Sequence, residues 1–197
     1  VGLINSSWGG SRIEPWISES GIKKFDWLSL PDRNQGKDFS RQLPTVMYNA
    51  MIHPVVGFAI RGAIWYQGEA NRKQPEEYLK LLPGLVEDWR ANWGIGDFPF
   101  YYVQIAPYNY GTTGKHSAYL REAQLKAAEV ITNSGMASVM DTGEKRCIHP
   151  ANKKAAGDRL AYLALAKTYG IGGIAYSGPV LKEMTVEGSE VKLTFNY

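Results

Sequence analysis

The sequence has little of several features that mark particular classes of protein. It contains a single cysteine, Cys147, so an internal disulfide framework is excluded and the redox compartment stays open. It has no apolar run long enough to span a membrane and none of the basic stripes typical of nucleic-acid binders. We therefore predict neither a membrane nor a nucleic-acid partner for this protein of ordinary globular composition.

Patterns for metal and phosphate binding are also weak. The three histidines, His53, His116 and His149, lie far apart, with no second ligand at helical or turn spacing, so no metal site is predicted. The segment 111–115 contains two glycines and a lysine, but their spacing differs from that of a phosphate-binding loop. Because its neighbours are apolar, His53 is expected to be a packed core residue.

The pattern that is present is an alternation of short apolar runs and amphipathic segments. It predicts strands at 1–5, 62–66, 98–105 and 135–140, and helices at 75–92, with a break or kink at Pro83, at 117–130 and from Pro150 to about 169. This alternation specifies a parallel sheet covered on both faces. The period then changes, and a hairpin is predicted around Gly188. We therefore expect an α/β domain at 1–175 and the start of a β-rich domain at 176–197.

Polar residues follow three of the predicted strands. Gly9 and Gly10 follow the first, the cluster 67–71 follows the second, and Asp141 with His149 follows the strand at 135–140. In open α/β sheets the ligand crevice lies outside the carboxyl ends of the strands. A histidine, an acid and backbone N–H groups that converge there are what acyl transfer requires, although this set lacks a nucleophile. The alternative is polar loops and a tight turn that bind no ligand.

Several ordered motifs cover nearly the whole chain. They are Gly2-Leu3-Ile4, Trp8-Gly9-Gly10-Ser11, Trp16, Tyr48-Asn49-Ala50-Met51-Ile52-His53-Pro54, Trp65-Tyr66-Gln67-Gly68-Glu69-Ala70-Asn71, Asp88-Trp89-Arg90, Phe98-Pro99-Phe100, Val103-Gln104, Leu120-Arg121-Glu122-Ala123-Gln124, Ile148-His149-Pro150 and Asn152-Lys153. Together they resemble the sialate O-acetylesterases of the SGNH hydrolase superfamily. The resemblance implies a three-layer α/β/α, flavodoxin-like sheet. It also implies hydrolysis of O-acetyl esters on carbohydrates, chiefly sialic acids, with no cofactor and in a secreted, periplasmic or lysosomal setting.

The resemblance also implies roles for individual residues. His149 is the general base, Gly10 or Gly9 supplies an oxyanion donor, and Gln67 takes the place of the superfamily's oxyanion asparagine. The residues expected to bind the substrate are Trp8, Tyr66, Asn71 and Arg121.

The acid partner of the histidine is less well defined by the resemblance. The superfamily often has an aspartate three residues before the histidine, but that position here is Arg146. We rank Asp141 first as the acid, Glu69 second and Glu144 third. A structural ion pair between Glu69 and Arg121 is an equal alternative for Glu69.

The nucleophile is the main departure from the family pattern. The family's serine lies in a Gly-Gln-Ser-Asn motif that does not occur in this sequence, and Ser6, Ser7 and Ser11 stand in a different context. We expect an N-terminal segment upstream of Val1 to supply the serine. Cys147 is not adopted as a nucleophile, because neighbouring loop residues point apart. The alternative function is a non-catalytic carbohydrate-binding or pseudo-esterase module.

Overall fold

The computed structural model of the protein describes residues 2–32 and 40–196. Its centre is a parallel sheet in the order β1–β2–β3, formed by β1 (Ala63–Trp65), β2 (Phe100–Val103) and β3 (Ser134–Ala137). The predicted parallel α/β sheet is confirmed, with strands shorter than expected. The strand predicted at 1–5 is wrong for the described residues 2–5, which are exposed and pair with no described strand. An apolar run without a neighbouring strand has no ladder of hydrogen bonds to hold it extended.

Three long helices connect and cover the strands. They are α2 (Pro75–Trp93), α3 (Lys115–Val130) and α4 (Lys153–Leu163), and they follow a single short turn of helix, α1 (Glu19–Ile22). A π turn, Ala164–Thr168, extends α4. The helix α2 runs through Pro83 without interruption, so a break there is excluded. The buried side chains on both sides of the proline, including Leu82 and Leu85, hold the helix against the core and offset the lost hydrogen bond.

The two faces of the sheet carry separate helical layers, which confirms the three-layer α/β/α architecture. Side chains alternate along β2, so Phe100 and Tyr102 lie in a core with residues of α2 and α3. Tyr101 and Val103 lie in a second core with Leu160 and other residues of α4. All four β2 side chains are buried, as expected for the central strand of a parallel sheet.

Short helical turns fill the chain before β1. A 3₁₀ turn, Glu14–Trp16, precedes α1, and a π turn, Tyr48–Ile52, leads into a second 3₁₀ turn, His53–Val55. The prediction that His53 is a core residue was wrong, because it begins a surface turn and its side chain is exposed beside the ring of Tyr48. The polar composition from Asp26 to Leu43, with Pro31 and Gly36, predicts a long surface loop, and residues 33–39 of it lie outside the described residues.

The C-terminal hairpin is confirmed. The strands β4 (Val180–Glu187) and β5 (Glu190–Asn196) pair antiparallel, and Gly188 adopts a φ of 63° in the turn between them. That left-handed conformation favours glycine. The assignment of 176–197 to a separate β-rich domain stays a prediction.

Candidate active site

The carboxyl ends of the three parallel strands bring three polar loops to one edge of the sheet. The loop after β1 contains Gln67 and the 3₁₀ turn Glu69–Asn71, the loop after β2 covers residues 104–114, and the loop after β3 covers residues 138–152. Since parallel strands point the same way, their following loops share one edge, which is where ligands bind in open α/β sheets.

A buried pair of amides ties the β1 loop to the segment before α1. The side chain of Asn71 is completely buried, and its Oδ1 accepts hydrogen bonds from the Ile13 N–H at 2.9 Å and from Gln67 Nε2 at 2.8 Å. Asn71 Nδ2 donates to Glu14 Oε2 at 3.0 Å, and Gln67 Nε2 also donates to the Ser11 carbonyl at 3.1 Å. These bonds fix the position of the segment that follows Gly9 and Gly10.

This geometry changes the interpretation of both amides. The burial of Asn71 disagrees with the prediction that its side chain contacts substrate, because every polar atom of that side chain already has a protein partner. Both donor directions of the Gln67 amide are used by Ser11 and Asn71, while its buried Oε1 has no partner among the described residues. The role of Gln67 as an oxyanion donor stays a prediction and requires release of one of these two bonds.

The glycine turn presents free backbone donors. Gly10 adopts a φ of +71°, and its carbonyl accepts a hydrogen bond from Gln42 Nε2 at 2.7 Å. The N–H groups of Gly9 and Gly10 make no hydrogen bond with the described residues. An added Cβ at Gly9 would meet open space, so a ligand atom can approach this backbone closely. The indole of Trp8, which precedes the turn, is half exposed at 52%.

The serines beside this turn are engaged elsewhere. Ser6 Oγ donates to the Met51 carbonyl at 2.9 Å, and Ser7 Oγ hydrogen-bonds Asn5 Oδ1. Ser11 Oγ donates to the Trp8 carbonyl at 2.9 Å. These contacts agree with the expectation that none of the three serines is the nucleophile.

The carboxylate of Glu69 lies within electrostatic reach of His149. Burial is the largest effect on Glu69 and raises its pKa, while the positive charges of Lys153 and His149 act in the opposite direction. Burial, followed by the negative charge of Glu69, raises the pKa of Tyr66 to about 12. The ammonium of Lys153 stands 5.2 Å from the centre of the Tyr66 ring. The loops after β1 and β3 therefore place an acid, an imidazole and a cation together.

The other two candidate acids have different partners. Asp141 Oδ1 and Oδ2 accept hydrogen bonds from Arg159 Nη1 and Nη2 at 2.6 and 2.7 Å, and this pairing lowers the pKa of Asp141 to about 2. Glu144 Oε1 accepts from the Ala151 N–H at 2.6 Å and braces the loop that carries His149. Cys147 Sγ donates to the backbone carbonyl of His149 at 3.1 Å. The imidazole of His149 itself lies in an exposed residue.

An ion pair between Glu69 and Arg121 does not form. The guanidinium of Arg121 makes no ion pair with the described residues, and the charges that act on Glu69 are those of Lys153 and His149. The structural alternative for Glu69 is therefore not supported by the geometry.

Sequence reasoning missed three residues near Glu69. They are Lys153, at the start of α4, and Arg72 and Tyr110, whose guanidinium and ring lie 4.5 Å apart. The position of Tyr110 after β2 is a signal that could have identified it, since the loop after each strand faces the same crevice. Arg72 follows the β1 cluster directly and could have been included in it.

Two glycines let these loops approach one another. A Cβ at Gly143 would lie 2.4 Å from the Pro107 carbonyl oxygen, so the β3 loop touches the β2 loop there. A Cβ at Gly68 would lie 2.7 Å from Ile105 Cγ2. Gln124 of α3 adds a polar link, because it accepts from the Ile105 N–H at 2.9 Å and donates to the Gln67 carbonyl at 3.2 Å. The three loops thus form one supported surface.

We also searched the described residues for metal-binding clusters, membrane-spanning helices and cavities. Within residues 2–32 and 40–196, no group of three histidine, cysteine or acidic side chains could hold a metal ion. No helix in the same part of the chain is both long and apolar enough to span a membrane. Two cavities of about 480 Å³ each lie near the amino ends of β2 and β3, beside Asp97, away from the strand-end loops.

Comparison with known proteins identifies the family. A family model described as carbohydrate esterase, sialic acid-specific acetylesterase, matches residues 1–165. The sialate O-acetylesterases of Mus musculus and Homo sapiens are 27% and 28% identical to the chain, and the alignments cover all of it. They cover 44% of the mouse protein and 41% of the human protein.

A solved structure agrees with this result. The crystal structure of a novel carbohydrate acetylesterase from Xanthomonas citri is 36% identical, with a TM-score of 0.82 over 98% of this chain and 42% of that chain. The chain therefore spans less than half the length of these relatives. With its sheet, its strand-end loops and a family match that covers most of its length, the chain belongs to the sialic acid-specific acetylesterase family of carbohydrate esterases.

Proposed function

We propose that the protein hydrolyses O-acetyl esters on carbohydrates, with acetylated sialic acids as the preferred substrate class. The observation that carries the proposal is the placement of Glu69 within electrostatic reach of His149, at the strand-end edge of an esterase-family sheet. A base and an orienting acid on neighbouring loops are two of the parts that acyl transfer requires. The glycine turn, with two unpaired N–H groups, offers a third part.

We assign the orienting acid to Glu69 rather than to Asp141. Both terminal guanidinium nitrogens of Arg159 donate hydrogen bonds to Asp141, and these bonds lower the pKa of the Asp141 carboxyl. A carboxylate held by a fork of two hydrogen bonds has little capacity left to orient an imidazole. Glu69 has no ion pair shorter than 4 Å with the described residues, and its half-buried position strengthens its interaction with an imidazolium.

The proposed reaction has two steps with balanced proton transfers. A serine Oγ attacks the acetyl carbonyl carbon while His149 accepts the serine proton, and the N–H groups of Gly9 and Gly10 donate to the oxyanion. The imidazolium then gives its proton to the departing sugar oxygen. In the second step His149 accepts a proton from water as the water oxygen attacks the acetyl carbon, and the imidazolium then returns that proton to the serine Oγ as the C–Oγ bond breaks and acetate leaves.

We place the serine in a part of the protein outside these residues. Three observations support this placement: the missing Gly-Gln-Ser-Asn motif, the engaged hydroxyls of Ser6, Ser7 and Ser11, and relatives more than twice as long as the chain. The secreted, periplasmic or lysosomal location implied by the resemblance stays a prediction.

The direct test is acetate release from an O-acetylated sialic acid by the complete protein. We expect turnover by the wild-type protein and a loss on the order of 10³-fold or more for His149→Ala, because the general base is removed. His116→Gln, which removes an imidazole from the start of α3, serves as the control and should keep wild-type activity. Sugar binding by a folded wild-type protein without acetate release would contradict the proposal and favour a non-catalytic binding module.

A further inference from the structure

Arg72 and Arg121 differ from the other buried or half-buried arginines of the described residues. Five arginines among the described residues are buried or half-buried, namely Arg12, Arg72, Arg90, Arg121 and Arg159. Three of them face a carboxylate: Arg12 pairs with Glu14, Arg90 with Asp97, and Arg159 with Asp141. Arg72 and Arg121 have no carboxylate partner among the described residues. These two half-buried guanidinium groups are therefore available to bind an anion from outside the described residues.

Tyr110 links the two unpaired arginines. The Arg72 guanidinium carbon lies 4.5 Å from the centre of the Tyr110 ring, and Tyr108 packs edge-on against the same ring at 4.8 Å. The charges of both Arg72 and Arg121 act on the Tyr110 hydroxyl. The Arg72 guanidinium therefore lies against the Tyr110 ring, and Arg121 is near enough for its charge to act on the same phenol.

Buried polar atoms in this cluster lack partners. Arg72 Nε and the Tyr110 hydroxyl are both buried, and neither hydrogen-bonds a described residue. The one hydrogen bond of the Arg72 guanidinium is long, from Nη1 to the Glu69 carbonyl at 3.3 Å. A buried donor without a partner destabilises the fold, so an acceptor that enters the cluster would recover free energy.

The chemistry of the cluster selects the kind of acceptor. Guanidinium groups bind carboxylates through paired, charge-assisted hydrogen bonds, and a phenol donates a further bond to a carboxylate oxygen. The cluster lies beside Glu69, whose charge acts on Tyr110 and which also interacts with His149. A ligand that places an ester at His149 can therefore present a second group to the arginines.

We propose that Arg72, Arg121 and the Tyr110 hydroxyl form a subsite for the carboxylate of an acidic acetylated sugar. This inference rests on the proposed esterase function and adds its substrate selectivity. The two arginines and the tyrosine act as specificity-determining residues, since they bind a group remote from the ester. The carboxylate holds the sugar so that its acetyl group reaches His149.

The test compares two substrates in the complete protein: an O-acetylated sialic acid, and the same compound with its sugar carboxylate converted to a methyl ester. Released acetate is measured as an initial rate, before cleavage of the methyl ester can convert that substrate into the acid. We expect Arg121→Gln and Arg72→Gln to lower the ratio of kcat/KM for the acid to kcat/KM for the ester by about tenfold or more, chiefly through KM. Tyr110→Phe should lower the same ratio by a smaller factor without loss of folding, because it removes only an unpaired hydroxyl. Lys126→Gln, on the exposed side of α3, should leave the ratio at the wild-type value.

The outcomes separate this inference from the proposed function. Equal loss of activity toward both substrates, or no loss in any variant, would overturn the subsite. If the wild-type protein releases acetate from neither substrate, the proposed function fails, and calorimetry with N-acetylneuraminic acid then decides the subsite alone. Weaker binding by Arg121→Gln than by the wild type would support the subsite, and equal binding would overturn it.

Discussion

Arg159 holds the carboxylate of Asp141 with two hydrogen bonds of 2.6 and 2.7 Å, Nη1 to Oδ1 and Nη2 to Oδ2. Arg159 Nη1 also donates to the Ser138 carbonyl at 2.6 Å, so the pair fastens the end of β3 to α4. Asp141 therefore links β3 to α4, although the sequence analysis ranked it first as the acid partner of His149.

Substitution of the two acids should therefore affect catalysis very differently. We predict that Glu69→Gln lowers kcat by on the order of 10³–10⁴-fold, as expected when the acid that orients a catalytic histidine is neutralised. Asp141→Asn should lower kcat by less than about tenfold, because it weakens only the contact with Arg159. The measurement is acetate release by the complete protein at saturating substrate. A larger loss for Asp141→Asn than for Glu69→Gln would reverse the assignment.

Glu69 should favour catalysis but lower the stability of the fold at neutral pH. Burial raises the pKa of Glu69, so the folded state keeps its proton to a higher pH than the unfolded state does. The contribution of Glu69 to the free energy of unfolding therefore falls as the pH rises from the ordinary carboxyl pKa through the raised pKa of the folded state. We predict that Glu69→Gln melts at a higher temperature than the wild type at pH 7 but at a similar temperature at pH 4.

Thermal melts across this pH range test the prediction directly. Glu129→Gln, which neutralises an exposed acid on α3, should change the melting temperature little at either pH. A Glu69→Gln variant that is less stable than the wild type at pH 7 would show that ionised Glu69 stabilises the fold, contrary to the account.

Asn71 should be required for the fold rather than for substrate contact. Asn71→Ala leaves the buried Ile13 N–H without a partner and removes one hydrogen bond each from Gln67 and Glu14, which keep their contacts with the Ser11 carbonyl and with Arg12. We predict a loss of at least about 2 kcal/mol in the free energy of unfolding, measured by urea denaturation. Asn49→Ala, at an exposed asparagine, should cost less than about 0.5 kcal/mol. Unchanged stability of Asn71→Ala together with a raised KM would instead support direct substrate contact.

The close approach of two loops at Gly143 gives another prediction. The added Cβ of Gly143→Ala would lie 2.4 Å from the Pro107 carbonyl oxygen, and a backbone atom cannot move aside as a flexible side chain can. We expect a loss of about 1–3 kcal/mol in stability and a lower kcat, because His149 lies on the displaced loop. The control, Gly157→Ala, adds a methyl group in open space within α4 and should raise stability by about 0.5–1 kcal/mol. Wild-type stability and kcat in Gly143→Ala would show that the two loops are not in contact.

The sequence was sufficient to predict the parallel sheet and the loops that carry the candidate site. Apolar runs of strand length alternate with helical periodicity, and the carboxyl ends of parallel strands must share one edge, so the cluster 67–71 and His149 could be assigned to that edge. Composition alone could not decide whether residues 1–5 form a strand, because a strand exists only when a neighbour pairs with it.

Which carboxylate is free could not be predicted in the same way. Asp141 is neutralised by Arg159, eighteen residues further along the chain and on another element, and only the folded arrangement of β3 and α4 brings them together. The burial of Asn71 is likewise a tertiary property, since the segment at Ile13 covers it from a distance in sequence. Local pattern identified the residues, and long-range contacts determined their roles.

Glu69 and His149 should act as one unit in ester hydrolysis, and a double-mutant cycle on acetate release measures this coupling. The activities of the wild type, Glu69→Gln, His149→Ala and the double variant are compared in the complete protein. We predict that the double variant is about as slow as His149→Ala alone, because an acid that acts only through the histidine has no effect once the imidazole is gone. Losses that multiply in the double variant would instead show that Glu69 and His149 act independently.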